Sequence, residues 1–455
     1  MQMRPGMRAG SWAIMAGLVL VAMSALCGGA AAHKLKILHT FGQNQFDGLT
    51  PSAAPVMDAP GNLFGTTTNG GAHGAGAVYE LTPKSNGKGY AYKIIYDFCS
   101  QTHCADGQMP TGGLIVDANG NLYGTALLSD LGNIYGGAAF ELTHDAGRTN
   151  WTYTALYSFC AAGPPQCLDG SNPYTTLTYA GAATGAAYDG ISPLYGSSTG
   201  GGPFNGYGVV FQLTPSGIRR TAWSESVLYD YCGGGDGCAQ AFWAGDGIVA
   251  DGNGNIFGAA LVGGAFSSGA IFELPTGGTP RNAAVVYNFC SLSACADGGA
   301  PGGPPLLDAF ENLFGTASSG GIRTRFCNSG CGTVFRLVPN GASWDYTVVH
   351  AFCAEGGHCR GGFSPWGSLL SDGAGSLFGT TASGGNVIKG RHARSFGGTL
   401  FALDTELSVL DRFCTEANCA DGQAPLAGAR SASGKIFGVT PAGGAGYGVI
   451  FEYLP

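Results

Sequence analysis

Fourteen cysteines in close pairs are the residues of this chain best placed to do chemistry. Seven pairs are formed, with partners four to seven positions apart: Cys99/Cys104, Cys160/Cys167, Cys232/Cys238, Cys290/Cys295, Cys327/Cys331, Cys353/Cys359 and Cys414/Cys419. An even number of closely paired cysteines is typical of a disulfide framework formed in an oxidising compartment. A zinc site needs about four ligands, whereas each pair supplies two and the next pair lies a whole repeat away. The spacing therefore favours seven disulfides and predicts neither a metal site nor a cofactor.

Basic side chains are concentrated in three loops of an otherwise acidic chain. The chain carries 21 Lys and Arg against 29 Asp and Glu, a formal net charge of −8, which disfavours nucleic-acid binding. The loop cations are Arg323, Arg325, Arg360, Lys389, Arg391, His392 and Arg394. They are candidate ligands for an anionic partner such as an acidic polysaccharide or a carboxylate. The alternative, which the sequence favours, is a solvated insertion without a binding role.

Two tryptophans and a set of aspartates are further candidates. Trp243 and Trp366 follow cysteine pairs and could stack on sugars, although a Trp between repeats is more often core. Asp-Gly dipeptides recur in the same loops, with the aspartates Asp47, Asp106, Asp169, Asp297 and Asp421. A ring of these carboxylates could hold a cation, but each Asp more simply closes its own turn. No Gly-x-Ser-x-Gly or His-Glu-x-x-His motif is present, so no catalytic residue is assigned.

A repeated phrase indicates the elements that position these residues. An aromatic residue and a Gly recur in apolar strands at Phe64-Gly65, Tyr123-Gly124, Tyr195-Gly196, Phe257-Gly258, Phe314-Gly315, Phe378-Gly379 and Phe437-Gly438. A period near sixty residues suits a propeller blade of four antiparallel strands, here named a to d in chain order. The sequence therefore predicts an all-β, seven-bladed β-propeller over residues 33–455.

The two ends of the repeat array are complementary. The chain opens on a d-type strand, residues 35–41, and closes on a c strand, residues 449–453. We therefore expect the N-terminal strand to complete the last blade, which removes the free edges of the ring. The repeated Gly in strand b is expected to allow close approach of the neighbouring blade, and the repeated aromatic to form core between blades.

The N-terminus has the pattern of an export signal. Arg4 and Arg8 precede an apolar stretch, and Ala30-Ala31-Ala32 offers small residues for cleavage. Residues 1–32 are therefore predicted to be a signal peptide, and the mature chain to be extracytoplasmic with no transmembrane segment. Removal of two Arg changes the net charge to 19 − 29 = −10. A bulky Leu26 before Cys27 argues against lipidation of that cysteine.

The repeat resembles the GloVer (Gloeo-Verruco) tandem repeat of bacterial exported proteins. The family phrase is similar to residues 46–51, Phe-Asp-Gly-Leu-Thr-Pro, followed by residues 62–71, Asn-Leu-Phe-Gly-Thr-Thr-Thr-Asn-Gly-Gly, and by Gly76-Ala-Val-Tyr79. The resemblance covers nearly all of residues 34–455. It implies no established activity.

Three functional hypotheses follow from this arrangement. In a propeller the b–c and d–a loops share one face, and rigid scaffolds commonly carry function on such loops. The first hypothesis is a binding module for an extracellular glycan or a surface protein. The second is an enzyme acting on polysaccharide through carboxylates in the central channel. The third is a purely structural envelope or matrix component. The fold alone does not distinguish them.

Overall fold

Seven four-stranded antiparallel sheets make up the protein, which confirms the predicted seven-bladed β-propeller. The computed structural model describes residues 35–129, 136–161, 166–203, 206–216, 222–231, 242–277, 282–354, 359–385 and 397–455, with backbone only at 242–246. The signal peptide and Cys27 lie outside these residues and stay predictions. No helix of the described part is long and apolar enough to cross a membrane.

The strands of successive blades occupy four equivalent positions. The a strands are Val56–Met57, Ile115–Val116, Thr178–Tyr179, Phe242–Ala250, Leu306–Leu307, Leu370–Ser371 and Leu426–Arg430. The b strands are Leu63–Thr67, Leu122–Ala126, Leu194–Gly200, Ile256–Val262, Leu313–Ser319, Leu377–Ser383 and Ile436–Thr440. The c strands are Ala77–Pro83, Ala138–His144, Val209–Ser216, Ala270–Leu274, Thr333–Asn340, Thr399–Leu403 and Val449–Tyr453. The d strands are Tyr90–Asp97, Trp151–Ser158, Ala222–Asp230, Ala284–Asn288, Ser343–Ala351, Leu407–Arg412 and, from the N-terminus, Leu35–Thr40.

Short additional strands lie between the cysteine pairs and the a strands. Ser171–Pro173, Gly299–Pro301 and Phe363–Pro365 each pair with the end of the b strand of their blade. Gly48–Leu49 pairs with Asn69–Gly70 at the equivalent place in blade 1. These pairings hold the start of each a strand against the b–c loop.

The N-terminal strand closes the ring as predicted. Leu35–Thr40 pairs antiparallel with Val449–Tyr453, the c strand of blade 7. The pairing skips one residue between Ile37 and His39, and the c–d pairs of the other blades have an irregularity at the equivalent place, just before the aromatic residue of strand c. The first strand is therefore a genuine d strand whose blade mates lie about 400 residues later in the chain.

The glycine of strand b is required by its own blade, and the expectation that it admits the neighbouring blade was wrong. Each of these glycines lies opposite the aromatic residue of strand c, as in the pair Gly258 and Phe272. A Cβ at Gly258 would stand 2.3 Å from Cζ of Phe272, and the same conflict arises at Gly65, Gly124, Gly196, Gly315, Gly379 and Gly438. The strand-c ring therefore lies over the glycine, in space that any side chain would fill.

The aromatic residues do form core between blades, as expected. One buried cluster joins Phe437 of blade 7, Phe41 after the closing strand, and Leu63 and Tyr79 of blade 1. Another joins Phe64 of blade 1 to Phe140 of blade 2. Because each cluster spans a seam, every blade depends on its neighbours for burial of its apolar faces.

The a–b hairpins are closed by aspartate. Asp251 Oδ1 accepts hydrogen bonds from the backbone N–H groups of Asn253 and Asn255, both at 2.8 Å, and Oδ2 accepts one from Asn255 Nδ2 at 2.7 Å. Asp58, Asp117 and Asp308 bond the asparagine four residues later in the same way. These carboxylates are thus occupied in turns of the Asx type.

Candidate functional site

Aspartate also organises the d–a loops, which contain the cysteine pairs. Asp297 is fully buried, and its Oδ2 accepts hydrogen bonds from Tyr287 Oη at 2.8 Å, Ser291 N at 2.8 Å and Ser291 Oγ at 2.9 Å. Its Oδ1 accepts a bond from Leu292 N at 3.3 Å. Asp106 makes the equivalent bonds three blades earlier, in the loop between blades 1 and 2. Each Asp therefore closes its own loop, as the turn interpretation predicted.

The cysteines of these loops adopt a backbone conformation that is uncommon outside glycine. The backbone φ lies between 42° and 66° at Cys99, Cys104, Cys160, Cys167, Cys290, Cys295, Cys353, Cys359, Cys414 and Cys419. Left-handed φ costs roughly 1 kcal/mol or more at a non-glycine residue. In the loops that contain an aspartate, the disulfide and the buried carboxylate together hold a conformation that the backbone alone would not favour.

The b–c and d–a loops share one face, here called the loop face. The backbone N–H of Gly321 donates to the carbonyl oxygen of Cys295 at 2.8 Å, and that of Gly444 donates to Cys419 at 2.8 Å. Gly202 and Gly385 repeat this bond to Cys167 and Cys359. In these four blades the double glycine after the b strand thus rests on the second cysteine of the preceding d–a loop.

Six of the seven predicted disulfides fall within the described residues and are bonded as expected. They are Cys99–Cys104, Cys160–Cys167, Cys290–Cys295, Cys327–Cys331, Cys353–Cys359 and Cys414–Cys419. Cys232 and Cys238 lie outside the described residues. One premise of the sequence analysis fails, because two pairs do meet: the sulfur atoms of Cys327, Cys331, Cys353 and Cys359 all lie within 4.8 Å of one another.

A cavity of about 310 Å³ lies where the a strands of six blades begin. Two aromatic side chains line it, Trp366 of blade 6 and Tyr174 of blade 3, and the exposed fraction of Tyr174 is 36%. Trp366 lies against Gly302 of blade 5, at which a Cβ would stand 2.9 Å from Cε3 of the indole. Trp366, one of the sequence candidates, therefore stands in the wall of the central cavity, against the neighbouring blade 5.

Hydroxyl groups complete the polar part of this wall. Ser52, Thr111, Thr176 and Ser368 line the cavity. Ser52 Oγ donates to the carbonyl oxygen of Thr111 at 3.1 Å, while the buried hydroxyl of Thr111 has no hydrogen-bond partner among the residues that the structure describes. No Asp, Glu, His, Lys or Arg is among the lining residues in the described part of the chain. The channel carboxylates of the enzyme hypothesis have no counterpart among these residues.

The basic candidates are placed only in part. Arg323, Arg325 and Arg360 are exposed on the loop face, and Thr324 Oγ1 lies 3.8 Å from Cys359 Sγ. Arg323 and Arg325 on one loop and Arg360 on the other therefore flank the place where the Cys327–Cys331 and Cys353–Cys359 pairs meet. The guanidinium of Arg325 lies 4.7 Å from the ring centroid of Phe326. Lys389, Arg391, His392 and Arg394 lie outside the described residues, and for Trp243 the structure describes only the backbone, in strand a of blade 4.

A wider depression on the opposite face is a weaker candidate because its charges are paired. It is lined by the a–b turns of blades 1 and 2 and by Arg148. Arg148 Nη1 lies 2.6 Å from Asp58 Oδ2 and 3.9 Å from Glu80 Oε1. Arg148 thereby links blade 2 to blade 1, which is a structural role.

Glu225 carries a buried carboxyl group at a position where several other blades have a tyrosine. It pairs with Leu213, whereas the residue opposite the equivalent leucine is Tyr in blades 1, 2 and 5. Its Oε1 is buried without a hydrogen-bond partner in the described part of the chain. Burial, and next the charge of Asp169, raise the pKa of Glu225 to about 8.

Stability is consequently expected to fall as the pH rises. The unfolded Glu225 carboxyl titrates near 4.3 and the folded one near 8, so its favourable contribution is complete below about pH 4 and is lost as the pH rises through 8. We expect Glu225→Gln to raise the free energy of unfolding at pH 8 by about 1–3 kcal/mol and to flatten this pH dependence. Urea unfolding at several pH values measures it, with the exposed Glu406→Gln as control. Parallel pH profiles for Glu225→Gln and the unmodified protein would contradict it.

Fold and loops together define a disulfide-linked, seven-bladed β-propeller with a central cavity whose described lining residues carry no formal charge. Residues 28–193 and 186–451 match the Gloeobacter/Verrucomicrobia repeat, and the chain belongs to that family. This confirms the resemblance found in the sequence. None of the curated proteins compared with the chain matches it.

Some solved structures are similar to this chain at low sequence identity. A fungal alcohol oxidase of the AA5 family, in complex with copper, is 13% identical, with a TM-score of 0.49 over 93% of this chain and 76% of that chain. An Aleuria aurantia lectin mutant in complex with Fucalpha1-6GlcNAc is 11% identical, with a TM-score of 0.40 over 80% and 95%. Trypanosoma rangeli sialidase is 12% identical, with a TM-score of 0.39 over 82% and 57%. These likenesses concern the fold alone.

Proposed function

We propose that this protein is an extracytoplasmic binding module that holds a neutral sugar unit of a glycan in the central cavity. The observation that supports this most directly is the wall of that cavity, which combines Trp366 and Tyr174 with the hydroxyl-bearing residues Ser52, Thr176 and Ser368. Aromatic faces offer apolar area at low entropic cost, and hydroxyl groups both donate and accept hydrogen bonds.

Size and charge support the same class of ligand. A volume of about 310 Å³ lies at the lower end of small-molecule sites, which fits one or two sugar rings rather than a folded protein surface. The wall carries hydroxyl, amide and aromatic groups and no formal charge among the described residues. Binding to such a wall depends on contact area and hydrogen bonds, so added salt should change it little.

Calorimetric titration of the mature chain with a panel of neutral mono- and oligosaccharides tests the proposal. Trp366→Ala is expected to weaken binding about 10- to 100-fold, because truncation of a central aromatic anchor typically costs about 1.5–3 kcal/mol. Phe310→Ala is the matched control: Phe310 is 82% exposed in an a–b turn, away from the cavity. Equal affinities of the two variants, or no binding by any of the proteins, would contradict a sugar site in the cavity.

An anionic partner on the loop face is the second candidate. Arg323, Arg325 and Arg360 are exposed together in a chain of net charge −8. The same titration with acidic polysaccharides separates the two sites. Binding that is lost with salt and in the Arg323→Ala/Arg325→Ala variant, yet retained by Trp366→Ala, would favour the arginines.

A further inference from the structure

The d–a loop between blades 5 and 6 lacks the carboxylate that closes other such loops. Gly361 stands two residues after Cys359, where Asp297 follows Cys295, and His350 stands three residues before Cys353, where Tyr287 precedes Cys290. Both the acceptor and its tyrosine donor are therefore replaced in this loop. A cavity of about 20 Å³ lies there, lined by His350, the two cysteines and the backbone of Gly361.

A second cysteine pair occupies the same place. Cys327 and Cys331 come from the b–c loop of blade 5 and meet Cys353 and Cys359 of the d–a loop. The four sulfur atoms, here called the cysteine cluster, all lie within 4.8 Å of one another, and each residue is buried, with at most 8% exposed. The extra cysteine pair thus lies beside a d–a loop that has Gly361 at the position equivalent to Asp297.

The surroundings of the cluster favour negative charge on sulfur. Thr324 Oγ1 lies 3.1 Å from Cys327 Sγ and 3.8 Å from the sulfur atoms of Cys331 and Cys359. Arg323 and Arg325 flank that threonine, and Arg360 follows Cys359. Hydroxyl donors and nearby guanidinium groups are the outer-shell features that stabilise thiolate ligands.

We propose that the cysteine cluster, in its reduced form, is a binding site for one tetrahedral zinc-type divalent cation. A zinc–sulfur bond of about 2.3 Å places tetrahedral sulfurs about 3.8 Å apart, so small shifts from the observed arrangement suffice. Four thiolates and a divalent ion leave a complex with two negative charges, which the three arginines offset. The complex would supply at this loop the anionic centre that Asp297 supplies one blade earlier.

Loading requires thiols, whereas the structure holds the disulfides Cys327–Cys331 and Cys353–Cys359. Two molecules of a dithiol reductant deliver four electrons and four protons, which converts the two disulfides to four thiols and leaves two oxidised dithiols. Metal binding then releases the four thiol protons and forms four metal–sulfur bonds. The two disulfides and the bound metal are therefore alternative ways to close these two loops. The redox state of the cysteines decides which of them forms.

Cobalt and zinc titrations of the full mature chain test this proposal. After reduction and removal of the reductant under argon, Co²⁺ should give one equivalent of tetrahedral thiolate absorption, and Zn²⁺ should displace it. Cys327→Ser/Cys331→Ser should lose this stoichiometric binding, while Cys290→Ser/Cys295→Ser, which removes an isolated disulfide, should retain it. Thr324→Val should lower zinc affinity about 10-fold.

Where the reduced chain keeps its fold, two results would overturn the proposal. One is a reduced protein with a native circular dichroism spectrum that binds no metal. The other is equal binding by the Cys327→Ser/Cys331→Ser variant. Where reduction itself unfolds the chain, Zn²⁺ must restore the native spectrum of the unmodified protein and of Cys290→Ser/Cys295→Ser, but not of the cluster variant. Failure of that selective restoration also rejects the site. None of these outcomes depends on sugar binding.

Discussion

A chain that begins at Gly42, and so lacks the closing strand, is expected to lose cooperative folding at room temperature. The deletion would expose the edge of the c strand Val449–Tyr453, in which Ile450 and Phe451 are fully buried. It would also remove Phe41, which is fully buried at the seam between blades 7 and 1. Loss of a buried phenylalanine alone costs about 3–5 kcal/mol, and whole domains are stable by only about 5–15 kcal/mol.

Polar contacts add to this seam. His39 Nε2 lies 3.1 Å from Asp47 Oδ2, Tyr92 Oη donates to Asp47 Oδ1 at 2.8 Å, and the His39 and Tyr92 rings stack with centroids 3.6 Å apart. Burial alone would raise the pKa of Asp47, but the hydrogen bond and charge of His39 lower it below its ordinary value. The closing strand therefore also holds the loop that contains Asp47 and leads to the first a strand.

Urea unfolding, followed by circular dichroism and tyrosine fluorescence, measures the effect. Lys36→Ala is the control within the same strand, since its exposed amine lies 3.7 Å from Glu452 and such a pair contributes at most about 1 kcal/mol. A synthetic peptide of residues 33–41 added to the truncated chain should restore part of the native signal, and a scrambled peptide should not. An unchanged unfolding midpoint after truncation would show that the ring does not depend on this strand.

The repeat made the architecture predictable from the sequence, because each blade repeats the same alternation and the two ends are complementary. The physical reason for the repeated phrase was harder to predict from the sequence. Gly258 is required by Phe272 of the adjacent strand, a pairing that depends on register rather than on composition. A one-residue change of register would have placed a different residue under that ring.

The candidate sites were predicted less completely than the fold, because they too depend on contacts between residues that are distant in the sequence. Trp366 stays a predicted ligand-binding residue, and its place in the central wall could not be predicted because that place depends on how six blades meet. Glu225 was not singled out, although its substitution for the repeated Tyr was visible in the sequence. The approach of Cys327 and Cys353 was missed because the next cysteine pair was taken to lie a whole repeat away, whereas Cys331 and Cys353 are only 22 positions apart in the sequence. A blade brings its b–c and d–a loops together across about 25 residues.

Replacement of the buried loop aspartate should be the most destabilising single substitution in a d–a loop. Asp297→Ala would leave the backbone N–H groups of Ser291 and Leu292, and the hydroxyls of Tyr287 and Ser291, without their acceptor. Each buried donor left unpaired costs about 1–3 kcal/mol, so we expect a loss of about 3–5 kcal/mol in the free energy of unfolding. Asp297→Asn should lose less, because its amide oxygen keeps part of the acceptor role.

The same substitution should expose the adjacent disulfide to reduction. Cys290 and Cys295 have φ of 63° and 56°, a conformation that the carboxylate helps to hold. Without it, the loop should open more often and a dithiol should reduce Cys290–Cys295 faster, while the distant Cys99–Cys104 should react as before. Thiol labelling with mass spectrometry measures both rates, with exposed Asp404→Ala as control. Equal reduction rates and equal unfolding midpoints for Asp297→Ala and Asp404→Ala would show that the disulfide, not the carboxylate, fixes this loop.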